Sequence, residues 1–289
     1  MLLNPTASLR GAKDGILLWY NAVLPSLLPY MIISNIVILS GISGAMSLMA
    51  YPFTYLLKIP SSAGYCITSG IFFGYPACAL SATQMYRRKI IDKDTACFCA
   101  CAFNNVSPGF LSGFICIGML ESAKQIPVIF ILFYITLLLS TSIIRITLFR
   151  KKINKSAQTA VSYEAQNSHI LDTAVMNALT AIAKLCGYIV IFSILCSFIK
   201  QIPLKGISLL CGLIEVTSGS TIICHLNLPM RIKYLFLIPV LSFGGISGIY
   251  QTFGVDEEKI IDRKKYSRSK VIAAFVGFVI TYIYGRIFM

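Results

Sequence analysis

The fold is decided by the segment GLIEVTSGS, residues 212–220, which places a carboxylate and several hydroxyl and glycine positions inside an apolar stretch. Glu215 is the only acidic residue within any of the long hydrophobic segments. A carboxylate at bilayer depth costs roughly 2.5–3.5 kcal/mol on insertion scales, so it normally faces a cavity, a partner or a bound ion. The segment therefore predicts a functional position in a membrane. A purely structural hydrogen-bonding role for Glu215 is the alternative.

The composition is that of a polytopic membrane protein. The 289 residues have a mean hydropathy of +0.77, and 12% of them are charged, against roughly 25% in a soluble domain. The formal net charge of +14 comes from Lys and Arg in short runs between apolar segments, which is typical of topology signals and lipid-headgroup contacts. We therefore expect the lipid bilayer, and no nucleic acid, as a partner.

The first half of the chain contains a plain span, a broken hairpin, a broken span and a second plain span. A span needs about 20 apolar residues to cross a core of about 30 Å. Gly74-Tyr75-Pro76 divides an apolar stretch into two arms of about half that length, which predicts a re-entrant hairpin. The sequence NNVSPG at residues 104–109 interrupts the following span. The segments, with a short interfacial helix in second place, are residues 15–40, 44–58, 61–86, 95–120 and 126–149.

The second half repeats this order after a basic linker at residues 150–172. Its interruptions are Ser218-Gly219-Ser220 and residues 242–248, and its segments are residues 173–199, 204–228, 234–254 and 271–289. Interrupted apolar segments in corresponding positions of two halves indicate the binding site of an internally repeated transporter. We therefore predict an all-α polytopic membrane protein with two repeats, residues 1–149 and 173–289.

The distribution of Lys and Arg tests whether the two hairpins cross the membrane. If both are re-entrant, each half crosses an odd number of times, so the halves are inverted relative to each other. That topology places about twice as many Lys and Arg on one side as on the other, with Lys270 counted in a basic loop. Full crossing divides them more evenly. The positive-inside rule therefore favours two inverted repeats, each with a re-entrant hairpin and a discontinuous helix.

The interruptions supply the candidate substrate-binding residues. A broken membrane helix leaves amides and carbonyls unpaired, which is tolerable where they line a wet cavity, and half-helix N-termini suit anionic ligands. The alternative is that the Gly and Ser positions only permit close helix packing. The candidates are Ser69, Gly74, Tyr75, Asn104, Asn105, Ser107, Glu215, Thr217, Ser218, Ser242, Gly244, Ser247 and Gln251.

Metal and enzyme sites find little support in the sequence. Cys97 and Cys101 share a helix face while Cys99 points away, and no His accompanies them. An embedded hydrolase would need a nucleophile with a base in reach, for which His225 is the one membrane histidine. We therefore expect no enzyme activity, no metal and no cofactor. A coupling ion, H⁺ or Na⁺, is left open, as is a homo-oligomer.

Four motifs resemble one known family. They are GYP at residues 74–76, NNVSPGF at 104–110, GLIEVTSG at 212–219, and SFGGIS at 242–247 with Gln251. Together they resemble the sporulation integral membrane protein YlbJ family, within the Gate or nucleoside-recognition superfamily, over nearly the whole chain. Cys78 stands where a glycine is expected in relatives.

The resemblance implies a fold similar to that of concentrative nucleoside transporters, in which two opposed hairpins and two unwound helices form the substrate site. Glu215 would then be the acidic residue of the second hairpin, with Asn104 or Asn105 in the first unwound helix and Ser242 and Ser247 in the second. It also implies transport of dipicolinic acid toward the forespore, in the cell membrane or the outer forespore membrane of a spore-forming bacterium. A non-transporting scaffold or signalling protein of spore-envelope (cortex) formation and a nucleoside or nucleobase carrier are the alternatives.

Overall fold

A computed structural model describes residues 4–40, 47–150, 153, 169–202 and 207–288, and this part of the chain is helical with no strand. Most of the predicted linker at residues 150–172 lies outside the described residues. So do the start of the predicted interfacial helix and the first residues of the predicted segment 204–228. The all-helical prediction is confirmed for the part of the chain that is described.

The described residues form eight helices in the first half and six in the second. The first half contains α1 (Pro5–Leu18), α2 (Leu24–Leu39), α3 (Tyr51–Leu57), α4 (Gly64–Phe73), α5 (Ala77–Arg87), α6 (Lys93–Phe103), the wide π-type helix α7 (Phe110–Met119) and α8 (Ile126–Leu148). The second half contains α9 (Ile170–Ile199), α10 (Cys211–Ile214), α11 (Val216–His225), α12 (Met230–Phe243), α13 (Gly245–Val255) and α14 (Arg263–Ile287). Short 3₁₀ turns occupy Leu48–Ala50, Ser61–Ala63, Ala123–Gln125 and Ile207–Leu210.

Four helical stretches among the described residues are long and apolar enough to cross a membrane: Ala123–Leu148, Ile170–Ile199, Met230–Val255 and Arg263–Ile287. They overlap four of the predicted segments and confirm a membrane protein. The last begins earlier than predicted, because Asp262 caps its N-terminus by accepting a hydrogen bond from Lys265 N at 3.0 Å. The first predicted span, residues 15–40, is instead divided between α1 and α2 by a wide helical turn at Trp19–Val23. This turn lies just before Pro25, which has no backbone N–H to donate.

The chain reverses direction at both predicted hairpins. In the first hairpin, α4 and α5 run antiparallel, since Cys66 Sγ lies 3.4 Å from Met85 Sδ. In the second, α10 and α11 reverse at Glu215, and Gly212 packs against Gly219. The predicted interruption at Ser218-Gly219-Ser220 is therefore wrong. Those residues lie inside α11, because Glu215 has an extended backbone and its side chain caps the start of that helix. A ten-residue arm such as α4 or α11 is about 15 Å long. That is half of a hydrocarbon core of about 30 Å, so such an arm cannot cross it.

Two pairs of helices from the two halves run in opposite directions. Asn4 Nδ2 donates to Gln201 Oε1 at 2.7 Å, and Trp19 Nε1 donates to the Ile182 carbonyl at 3.1 Å. The first helices of the halves, α1 and α9, are therefore antiparallel. The last helices, α8 and α14, are antiparallel too. Thr136 packs beside Gly277 in their middle, and Lys265 Nζ lies 4.6 Å from the centre of the Phe149 ring at one end.

The two hairpins open toward opposite ends of α14. Arg87, at the base of the first hairpin, pairs with Glu258 at 3.1 Å in the loop that precedes α14. Arg231, just after the second hairpin, packs against Gly285 near the end of α14. We call these the basic end, which contains residues 87–94 and 256–265, and the far end, which contains residues 225–234 and 285–288. The tips of the hairpins therefore point into the bundle from opposite ends.

The contact between Gly212 and Gly219 predicts a stability effect. A Cβ at Gly219 would lie 2.0 Å from Gly212 Cα, whereas a Cβ at Gly187 would have nothing within 4 Å. We expect Gly219→Ala to lower the free energy of unfolding by about 1–3 kcal/mol, because the arms must separate. Gly187→Ala should leave it unchanged or raise it by up to about 1 kcal/mol. Denaturant unfolding in mixed micelles measures both, and equal stabilities would contradict the close packing.

Candidate functional site

The four interruptions of the apolar segments lie against one another. At the tip of the first hairpin Gly74 has φ +79°, and a Cβ there would lie 2.7 Å from Ser107 N in the first break, residues 104–107. The adjacent Tyr75 ring packs against the second break, 3.4 Å from where a Cβ of Gly248 would be. Gly245, in the second break, packs against the Glu215 backbone at the tip of the second hairpin. Glycine is needed at Gly74 and Gly245, which have positive φ and where a Cβ would lie within about 3 Å of backbone atoms.

A cavity of about 400 Å³ lies where these interruptions meet. Its polar lining is Tyr75, Ser107, Glu215, Thr217 and Gln251, all of which the sequence predicted as site residues. The apolar lining includes Leu18, Phe73, Val106, Phe110, Phe114 and Ile189. The Phe110 and Phe114 rings are stacked with their centres 4.9 Å apart. An apolar cavity of this size with a few convergent polar groups is typical of a small-molecule site.

Glu215 both lines the cavity and caps α11. Its side chain is 3% exposed and accepts hydrogen bonds from Thr217 N at 3.0 Å, from Ser218 N at 2.7 Å and from the Thr217 hydroxyl. These amides belong to the first turn of α11, where no intrahelical partner exists. The structural role that the sequence left as an alternative is therefore present. The N-terminus of α11 is occupied by the protein's own carboxylate, so it is not open to an anionic ligand.

Two further helix N-termini at the cavity are also capped by side chains. Ser107 Oγ accepts a hydrogen bond from Phe110 N at 3.2 Å, and Asn104 Oδ1 accepts one from Ala79 N in α5 at 3.4 Å. By contrast, α13 begins without a side-chain cap after Gly244, which has φ +78°. Of the helices that begin at the four interruptions, α13 is the one whose first turn has no side-chain acceptor in the described chain.

The remaining predicted residues surround the cavity without lining it. Ser247 Oγ accepts from Gln251 Nε2 at 2.9 Å and so holds that cavity side chain, while the Ser69 hydroxyl donates to the Cys66 carbonyl at 2.9 Å. The buried Ser242 hydroxyl has no hydrogen-bond partner in the part of the chain that is described. Three predicted residues contribute backbone groups instead of side chains. They are Gly74 and Ser218 at the hairpin tips and Gly244 at the second break.

Asn104 connects the first break to the second half of the chain. It is fully buried, and its Nδ2 donates to Thr252 Oγ1 at 2.8 Å and to Tyr266 Oη at 3.0 Å. Asn105 Nδ2 donates to the Ala102 carbonyl at 3.0 Å. Neither amide is part of the cavity lining, so a direct substrate contact for either remains a prediction.

Lys270 is a buried residue beside the first break that the sequence pattern placed wrongly in a loop. It lies on α14 and is 3% exposed, and its Nζ donates to the Asn104 carbonyl and to Asn105 Oδ1, the latter at 3.1 Å. The basic run before it suggested a continuous loop, but the helix already begins at Arg263. The available signal was helical spacing, because residues 266, 269, 270, 273, 276 and 277 form one buried face.

Removal of the Glu215 carboxylate should destabilise the second hairpin. We expect Glu215→Ala to lower the free energy of unfolding by about 0.5–2 kcal/mol, because two amides of α11 lose their acceptor. Asp14→Ala is the matched control, since Asp14 is exposed on α1. Thermal unfolding of both variants in detergent measures the difference. Equal stability of the two variants would show that Glu215 does not act as a cap.

Comparison with known proteins identifies a relative. The chain is 23% identical to the sporulation integral membrane protein YlbJ of Bacillus subtilis (strain 168) over 327 aligned positions, which cover 100% of this chain and 78% of the relative. No family model matches the sequence. No solved structure matches it either. The predicted resemblance to the YlbJ family is thus confirmed, and the chain is a homologue of a sporulation integral membrane protein.

Proposed function

We propose that this membrane protein transports a small polar metabolite during sporulation. The observation that carries the proposal is the cavity lined by both hairpin tips, the first helix break and Gln251 of α13, with the Glu215 carboxylate in its wall. Irregular backbone at membrane depth is tolerated where it is buried in protein or lines a cavity, and transporters place their substrate sites at such breaks. A scaffold that only joins other proteins needs no such cavity inside its bundle.

The helix directions support two inverted repeats. The first helices of the halves, α1 and α9, are antiparallel, the last helices are antiparallel as well, and the hairpins open toward opposite ends. A two-fold axis in the membrane plane relates corresponding helices in this manner. We therefore propose the fold of concentrative nucleoside transporters, with residues 1–149 and 173–289 as repeats. During transport the two hairpin tips would then be exposed alternately, each to the solvent on its own side of the membrane.

The charge distribution supports one orientation. Many of the Lys and Arg residues lie near the basic end, including Lys58, Arg87, Arg88, Lys89, Lys93 and residues 263–265. Because short cytoplasmic loops carry an excess of these residues, we propose that the basic end faces the cytoplasm. The relative's name gives sporulation as the setting. The cell membrane and the outer forespore membrane are the two candidate locations.

The lining defines what a substrate must offer. The aromatic side chains Tyr75, Phe110 and Phe114 suit a flat ring, and Glu215 and Gln251 suit hydrogen-bond donors. We propose dipicolinic acid as the substrate. A proton or a cation would accompany it, because Glu215 is the one charged side chain among the lining residues and would repel a dianion. A nucleoside or nucleobase is the second candidate, since its hydroxyl or amino groups can donate directly to Glu215.

Opposite insertion of the hairpins predicts opposite labelling. We expect Arg87→Cys and Arg231→Cys to react with a membrane-impermeant maleimide from different sides of oriented vesicles, since the two positions contact opposite ends of α14. Of the ten native cysteines, nine are buried, so a Cys186→Ser background is a sufficient control. Labelling of both positions from one side would contradict the inverted arrangement.

Transport itself is tested in proteoliposomes. We expect uptake of dipicolinate or of a nucleoside, and we expect Glu215→Gln and Gln251→Ala each to reduce the initial rate about tenfold, the loss of one hydrogen bond to a charged or buried group. Asp14→Ala, on the exposed face of α1, should retain the full rate. Absence of uptake of both substrates in either direction, from protein with intact folding, would favour the scaffold.

A further inference from the structure

The Lys270 ammonium is a buried cation without a buried anion. Its side chain is 3% exposed, and no carboxylate lies within 4 Å of Nζ in the described residues. The groups that face it from neighbouring helices are the thiols of Cys78 and Cys101, and the Tyr266 ring lies 5.3 Å away on its own helix. Its partners are instead two oxygens, the Asn104 carbonyl and Asn105 Oδ1.

These oxygens lie at the carbonyl end of a half-helix. The helix α6 ends at Phe103, and Asn104 follows it in the break. The last carbonyls of a helix have no intrahelical partner and carry a partial negative charge, which favours a cation. In transporters with discontinuous helices, unwound carbonyls and half-helix C-termini bind the coupling sodium ion. The ammonium of Lys270 therefore occupies the type of position that such an ion would occupy.

The second break closes without a cation. There α12 ends at Phe243, and Gly244 N donates to the Val240 carbonyl at 3.0 Å in a left-handed cap. A glycine cap of this kind satisfies the terminal carbonyls locally. In the first break Asn104 has φ −83° and ψ 83°, which ends the helix without such a cap. The first break is therefore the one whose terminal carbonyl oxygens are left for a cation to bind.

We infer that Lys270 is a tethered cation that takes the place of a sodium ion at the first break. It is a positioning residue. It holds Asn104 and Asn105, and the tip of the first hairpin rests on the same segment, where a Cβ at Gly74 would lie 2.9 Å from the Asn105 carbonyl. The inference rests on the proposed transport function, since only a transport cycle calls for a coupling ion. Its consequence is a cycle that needs no sodium.

The first test uses the unchanged protein. We expect the thermal unfolding temperature in detergent to be the same in sodium chloride and in choline chloride at equal ionic strength, because a ligand stabilises a fold only if it has a site to bind. A saturable rise with sodium would overturn the inference. Uptake in proteoliposomes should likewise proceed at the same rate in either salt, and a requirement for sodium would overturn the inference while supporting transport.

The second test removes the Lys270 ammonium. We expect Lys270→Ala to unfold at a lower temperature than Lys264→Ala, whose side chain is exposed on the same helix. Sodium, but not choline, should restore stability to Lys270→Ala in a saturable way, because the ion can bind the released oxygens. A loss that neither cation relieves, or a variant as stable as Lys264→Ala in both salts, would overturn the inference. Both unfolding measurements remain informative if no uptake is found.

Discussion

Every interrupted helix in a membrane must find partners for its unpaired backbone groups, and this requirement shapes the centre of the protein. Four interruptions meet there, and they are satisfied in different ways. Glu215 caps α11, Ser107 caps the turn that leads into α7, and Asn104 reaches across to the start of α5. Lys270 bonds to the carbonyl end of α6, and Gly244 closes α12 in a left-handed turn. Three of the four interruptions also contribute lining residues to the cavity, namely Tyr75, Ser107 and Glu215.

Several of these partners come from the opposite half of the chain. Asn104 donates to Thr252 and Tyr266, and Lys270 of the last helix bonds to Asn104 and Asn105 of the first half. The halves therefore interlock through buried polar groups, which are costly to leave without partners. Residues 1–149 and 173–289 describe a repeated order of elements, but their central contacts are shared between them.

Glu215 illustrates how structure and function share one side chain. Its burial in an apolar segment is explained by the three donors at the start of α11, and its place in the cavity wall leaves it next to whatever the cavity holds. A ligand that approaches it must offer donors or bring a positive charge. The same residue therefore fixes the hairpin tip and sets the chemical character of the cavity.

The sequence by itself determined the helical membrane class, the order of apolar segments and three of the four interruptions, because apolar length and local Gly, Pro and polar residues control these features. The break of the second hairpin lies at Glu215 instead of residues 218–220, because the Glu215 side chain caps α11 and lets it begin earlier. It also identified Tyr75, Ser107, Glu215, Thr217 and Gln251, which line the cavity. Only the tertiary structure decided that Asn104 joins the halves and that Lys270 is buried. Those roles depend on the rotation of each helix and on partners more than 100 residues away in the chain, which packing selects and local sequence does not encode.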